Sequence, residues 1–100
     1  MNLASILTED NFTAWLKTFN SDEVVGKSCS FRDCPIYHFL NSKNVPVNSV
    51  LAGNINLRNG VKAIKNPHWV ENFITVLDLE QDDHTYEVMA EKALEILQKS

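Results

Sequence analysis

The sequence predicts a small α+β domain of about four helices, with a minor two- to three-stranded antiparallel sheet formed by residues 45–65. Two observations predict this class. Apolar residues recur at i, i+3, i+4 and i+7 on both sides of the middle of the chain, whereas the middle itself has no helical period. The 100 residues suit one domain, 1–100, and a hydrophobic content of 44% supplies an ordinary core without metal or disulfide.

The N-terminal region predicts one clear amphipathic helix, over about residues 9–20. Its apolar stripe consists of Phe12, Trp15, Leu16 and Phe19. We interpret this stripe as core, with an aromatic recognition face as the alternative. Thr8 is placed to cap the helix. After the helix we expect Ser21 to begin a single further turn that Gly26 closes.

A proline after a capping residue marks the start of two further helices. Pro35 suits the first helical position with Cys34 as the N-cap, which predicts a helix over about 35–43. Asn66 and Pro67 repeat the pattern before a helix over 67–79. A final helix is expected over about residues 86–98, with its start undefined.

Between these helices the sequence predicts the sheet. Residues 45–57 suggest extended chain, in which Gly53 separates two strands or marks a bulge. The dipeptide Asn59-Gly60 is a strong hairpin signal. It is expected to join a strand near 54–58 to one near 61–65.

The net charge of −4 is unevenly placed. Residues 1–26 carry −3, residues 27–65 carry six Lys or Arg against Asp33 alone, and residues 66–100 carry −6. We expect the acidic ends to pack over the basic middle, with a basic face toward a partner as the alternative. Basic residues are too sparse to favour nucleic acid as a partner.

Cys29, Cys34 and His38 form the main candidate site, a reactive thiol centre with the spacing C-x4-C-x3-H. A thiol at a helix N-terminus has its thiolate favoured by the helix dipole, and a nearby imidazolium adds to this. Cys29 would act as the resolving thiol. The opposing interpretation is that both cysteines are small buried hydrophobic residues.

The same residues, together with His68, are the candidate metal ligands. Zinc needs about four nitrogen or sulfur ligands, usually in two separated pairs, and that pairing is absent from the sequence. We therefore expect no metal. The sequence contains no phosphate loop, dinucleotide fingerprint or H-E-x-x-H motif, so we also expect no cofactor.

These observations favour a non-catalytic interaction or regulatory module over an enzyme. The alternative is a thiol-based redox or metal-sensing protein that uses Cys34, Cys29 and His38. The first residues have neither a basic n-region nor a long apolar run, so we expect no signal peptide, no membrane contact and a cytoplasmic location. An unidentified protein partner fits this interpretation, and a homo-oligomer is left open.

Overall fold

The computed structural model of the chain describes residues 3–58, 60, 62–80 and 86–100. The described residues form a small α+β domain with five helices and two antiparallel sheets. The helices are α1 Leu3–Ile6, α2 Glu9–Leu16, α3 Pro35–Ser42, α4 His68–Glu80 and α5 Ala90–Lys99. The strands are β1 Val24–Lys27, β2 Val47–Val50, β3 Asn54–Leu57, β4 Ile64–Lys65 and β5 Glu87–Met89. The predicted fold class is confirmed.

The predicted sheet lies in the predicted part of the chain. Its strands pair antiparallel in the order β2-β3-β4, with Val50 opposite Ile55 and Ile55 opposite Ile64. Gly53 separates β2 from β3. Asn59 of the predicted hairpin lies outside the described residues, so the type of its turn stays a prediction.

The second sheet was not predicted. A turn does form at Ser21, with Glu23 N–H donating to the Asn20 carbonyl at 3.0 Å, but Gly26 does not close it. Val24 to Lys27 instead form β1, which pairs antiparallel with β5 near the other end of the chain. The same pairing explains the final helix, which begins at Ala90 because residues 87–89 are extended. β-branched Val24 and Val25 suit a strand, but their partner is distant in sequence.

Two of the predicted helix starts are confirmed. Thr8 accepts a hydrogen bond from the Asn11 N–H, at 3.1 Å, and caps α2. Pro35 occupies the first turn of α3 after Cys34. The third start lies one residue later than predicted, because helix α4 begins at His68, directly after Pro67.

The core is built from all of the longer elements. Its largest fully buried side chains include Phe12, Leu16, Ile36, Phe39, Leu40, Ile55, Phe73, Leu77 and Ile96. Phe12 lies at the centre of an aromatic cluster, with ring centroids 5.4 Å from Phe39 and 5.2 Å from Phe73, both edge-on. Trp15 is half-buried and packs at the edge of this core. Among the described residues, every helix is too short or too polar to traverse a bilayer.

Candidate functional site

The loop of residues 28–34, which we call the thiol loop, contains both cysteines and connects β1 to α3. Its backbone is tied to three other parts of the molecule. Ser28 N–H donates to the Tyr86 carbonyl at 2.9 Å, and Val50 N–H donates to the Phe31 carbonyl at 2.7 Å. Cys29 N–H donates to the Asp78 carboxylate of α4 at 2.8 Å. The loop is therefore held in place along its length.

Gly26 permits the close approach between β1 and the end of the thiol loop. A Cβ atom at this position would lie 2.7 Å from the Asp33 carbonyl oxygen and 2.7 Å from the Pro35 nitrogen. The adjacent Lys27 N–H donates to the same Asp33 carbonyl, also at 2.7 Å. The missing side chain of Gly26 thus lets the loop return onto the strand.

A groove of about 210 Å³, the thiol-loop groove, lies between the thiol loop, the end of β2 and α4. Cys29 and Cys34 both line it, with Ile74 and Asp78 on the α4 side. Phe31 and Leu51 also line the groove, and they are exposed to 52% and 46%. The structure therefore brings the two cysteines to one cavity, bordered by apolar side chains that face solvent.

Cys34 occupies the predicted N-cap position of α3, but its side chain makes no capping hydrogen bond. The residue is buried, with 4% of its surface exposed. Burial raises the pKa of the Cys34 thiol to about 11, although backbone amides of the first turn act in the opposite direction. Desolvation therefore outweighs the favourable effect of the helix end on the Cys34 thiolate.

Cys29 is the exposed thiol of the pair. Its backbone has a positive φ of 56°, a conformation that places its N–H toward Asp78. Desolvation by neighbouring atoms, followed by the negative charge of Asp78, raises the pKa of the Cys29 thiol, and a hydrogen bond with Ser28 offsets part of the rise. Both thiols are consequently stabilised in the protonated form.

His38 N–H donates to the Cys34 carbonyl at 3.1 Å, but His38 lines a cavity that contains neither cysteine and has a volume of about 360 Å³. Its Nε2 contacts Asp33 Oδ1 at 2.5 Å, and both side chains are about two-fifths exposed. Trp15 and Phe19 form the aromatic wall of this cavity. The three residues of the predicted thiol centre are thus divided between two cavities, with His38 paired to a carboxylate instead of a thiol.

The candidate metal ligands are similarly separated. His68 is the exposed first residue of α4. Within the described ranges, no three His, Cys, Asp or Glu side chains are grouped so as to hold a metal ion.

Sequence reasoning missed Asp78 and Asp33 as neighbours of the candidate residues. Asp33 precedes His38 by five residues, and the helix start at Pro35 between them was a usable signal that the two could meet. Asp78 is brought to Cys29 by tertiary packing of α4, for which the sequence contains no local signal. Phe31, a large aromatic residue in a polar loop, was visible in the sequence as a candidate for exposure.

The fold and the site define a small α+β domain in which a fixed loop borders an open groove. Comparison with protein-family models, with curated proteins and with solved structures finds no match to this chain.

Proposed function

We propose that the protein is a non-catalytic interaction module whose contact surface is the thiol-loop groove. The observation that supports this function is the exposure of Phe31 and Leu51 at a groove whose loop is fixed by hydrogen bonds. Large apolar side chains held in solvent by an ordered backbone are typical of protein contact sites.

The expected partner is a polypeptide that places an apolar side chain against Phe31 and Leu51. Such a side chain would bury both residues and reach Ile74 at the α4 side of the groove. Because the loop is already ordered, little conformational entropy is lost on binding, which favours affinity.

The alternative function, a thiol-based redox or metal sensor, has one supporting observation: Cys29 and Cys34 line the same groove. Two observations weigh against it. The pKa of each thiol is raised, which lowers the thiolate fraction needed for nucleophilic attack. The His38 imidazole contacts the Asp33 carboxylate and not a cysteine thiol.

We also propose a cytoplasmic location. Cys29 and Cys34 are both free thiols although they share a cavity, which suits a reducing compartment. Fractionation of cells that express the tagged chain tests this proposal, and recovery in an oxidising compartment with a Cys29–Cys34 disulfide contradicts it.

The proposed function is tested by selecting peptides from a randomised library on the folded protein, and then measuring Kd for individual peptides. We expect Phe31→Ala and Leu51→Ala each to weaken binding by about tenfold, the loss of about 1.4 kcal/mol typical of a contact residue. Leu79→Ala is the matched control, because Leu79 is 80% exposed on α4 and does not line the groove.

Peptides that bind all three variants equally would contradict the assignment of this surface. Rapid alkylation of Cys29 at neutral pH, together with a peptide set that is insensitive to Phe31→Ala, would favour the redox function instead. Circular dichroism of each variant confirms that the comparison is made between folded proteins.

A further inference from the structure

A third cavity, the α1 groove, lies between helix α1 and the β3–β4 pair and has a volume of about 310 Å³. It shares no lining residue with the thiol-loop groove. Its main lining residues are Leu3, Leu7, Ile55, Ile64, Pro67 and Lys65. Apart from Lys65, these side chains are aliphatic, and none is aromatic.

The walls of the α1 groove are formed in advance of any ligand. Leu7 N–H donates to the Leu3 carbonyl at 2.8 Å, which closes the turn of α1. The Asn11 side-chain amide of α2 donates to the carbonyls of Ser5 and Ile6, each at 3.1 Å. Opposite α1, Ile55 is fully buried while Ile64 is 38% exposed. The base of the groove is therefore formed by the buried Ile55, and the Ile64 side chain is open to solvent.

The charge that lines the α1 groove comes from a cation. Lys65 is the charged residue of its lining and is exposed. Residues 52–67 contain Arg58, Lys62 and Lys65 but no Asp or Glu, and all three cations are exposed. A ligand in this groove meets an aliphatic surface with the exposed Lys65 ammonium beside it.

We propose that the α1 groove binds an unbranched aliphatic carboxylate. The alkyl chain would lie along Leu3 and Ile64, over the buried Leu7 and Ile55, and the carboxylate would pair with the Lys65 ammonium. A peptide fits less well, because amide groups buried against these aliphatic side chains would lose their hydrogen bonds to water without replacement. The volume is at the lower end of that of ordinary small-ligand sites, which suits a chain of medium length.

Isothermal titration with the sodium salts of straight-chain acids from six to ten carbons, each below its micellar concentration, tests the ligand class. Each buried methylene is expected to lower Kd by about fourfold until the groove is filled. Octan-1-ol, which lacks the charge, and octyltrimethylammonium, which reverses it, are expected to bind more weakly than octanoate.

Two variants test the position of the carboxylate. Lys65→Gln is expected to weaken octanoate binding by about fivefold, the value of a partly exposed ion pair, and to leave octan-1-ol binding unchanged. Lys43→Gln is the matched control, because Lys43 is also exposed but lies at the end of α3, outside the groove lining.

Three results would overturn this inference. The first is an affinity that does not change with chain length. The second is an equal loss of octanoate binding in Lys65→Gln and Lys43→Gln. The third is binding to phosphatidylglycerol vesicles without binding of free carboxylates, which would assign the α1 groove to a membrane surface. None of these results bears on Phe31 and Leu51, so the proposed function is tested separately.

Discussion

Gly26 has the most specific steric role of any single residue near the candidate site. A methyl group at this position would enter the space of the Asp33 carbonyl and the Pro35 nitrogen, which are both backbone atoms and cannot rotate away. We expect Gly26→Ala to lower the free energy of unfolding by at least about 1–3 kcal/mol, as overpacking does. Urea denaturation measures this loss.

Gly53→Ala is the matched control for Gly26→Ala. A Cβ at Gly53 would have no heavy atom within 4 Å, so the change in stability is expected to stay within about 0.5 kcal/mol. Equal losses in the two variants would show that the approach of the thiol loop to β1 does not determine the effect.

Burial of Cys34 predicts a pH dependence of stability. A thiol whose pKa is raised to about 11 in the folded protein stabilises the fold fully below its unfolded pKa, and this contribution is lost as the pH rises through the folded value. We expect the loss to begin near pH 9 and to reach roughly 2 kcal/mol by pH 11.

The measurement for Cys34 is urea denaturation between pH 7 and pH 11 on the wild type and on Cys34→Ala. The variant removes the titrating group, so its stability is expected to fall less steeply over this range, whatever its stability at pH 7. Parallel pH profiles for the two proteins would mean that Cys34 is hydrated in the folded state.

The alkylation rate of Cys29 is expected to depend on the charge of Asp78. Asp78 raises the pKa of the Cys29 thiol, so Asp78→Asn is expected to lower that pKa and to accelerate alkylation at pH 8. The rate is measured with iodoacetamide in a Cys34→Ala background, which leaves a single thiol. Glu71→Gln, another exposed acid on α4, serves as the control. An unchanged alkylation rate in Asp78→Asn would show that Asp78 does not control the reactivity of Cys29.

At the residue scale, sequence reasoning found the chemically distinctive side chains but not their neighbours. Cys34 was placed correctly at the start of α3 because the signal, a following proline, is local. Its raised pKa depends on burial, which results from tertiary packing and has no local signal in the sequence. The same long-range packing brings Asp78 to Cys29.

At the scale of elements, Phe12 is the residue through which α2 makes most of its contacts with the aromatic core. The Phe12 ring contacts four aromatic rings, those of Trp15, Phe39, Trp69 and Phe73. We expect Phe12→Ala to lower the free energy of unfolding by about 3–5 kcal/mol, as for other large-to-small core changes.

Phe31→Ala is the matched control for Phe12→Ala, because Phe31 is 52% exposed and its loss is expected to cost less than about 1 kcal/mol. Thermal and urea unfolding of both variants give the comparison. Similar losses would show that Phe31 is buried by the native fold in solution, which would also remove the main support for the proposed contact surface.

The elements that sequence reasoning recovered are those defined by local patterns. The helical spacing of Phe12, Leu16 and their neighbours correctly predicted α2, and Val70 to Leu77 correctly predicted α4. The pair β1–β5 was missed because its strands are short and come from opposite ends of the chain. A four-residue strand such as β1 contains too few residues for its own pattern to define a partner.

At the scale of the whole molecule, the structure shows how exposed the cations in the middle of the chain are. The six Lys and Arg residues of 27–65 are all exposed. In the acidic C-terminal third, Lys99 pairs with Glu80 at 2.6 Å and with Glu95 at 3.3 Å. The basic middle therefore presents its charge to solvent, which supports an anionic ligand at the α1 groove.

The arrangement of the core predicts that the whole chain unfolds as one unit. Buried residues from α2, α4 and α5 belong to a single cluster, and β1 is joined to β5, so neither end of the chain can leave without exposing the core. We expect the fluorescence of Trp15 and Trp69 and the far-ultraviolet circular dichroism to give one coincident urea transition. Its m value should be about 1–3 kcal/mol per molar urea.

Ile96 tests this coupling from the far end of the chain. Ile96 is fully buried in α5, whereas both tryptophans lie outside that helix, on α2 and α4. Under single-unit unfolding, Ile96→Ala shifts the fluorescence and dichroism midpoints together, by an amount equivalent to about 2–5 kcal/mol. Gln98→Ala, an exposed change on the same helix, leaves both midpoints unchanged within about 0.5 kcal/mol. If Ile96→Ala instead moved the dichroism midpoint and left the tryptophan transition in place, α5 would unfold separately and the single-domain prediction for residues 1–100 would be wrong.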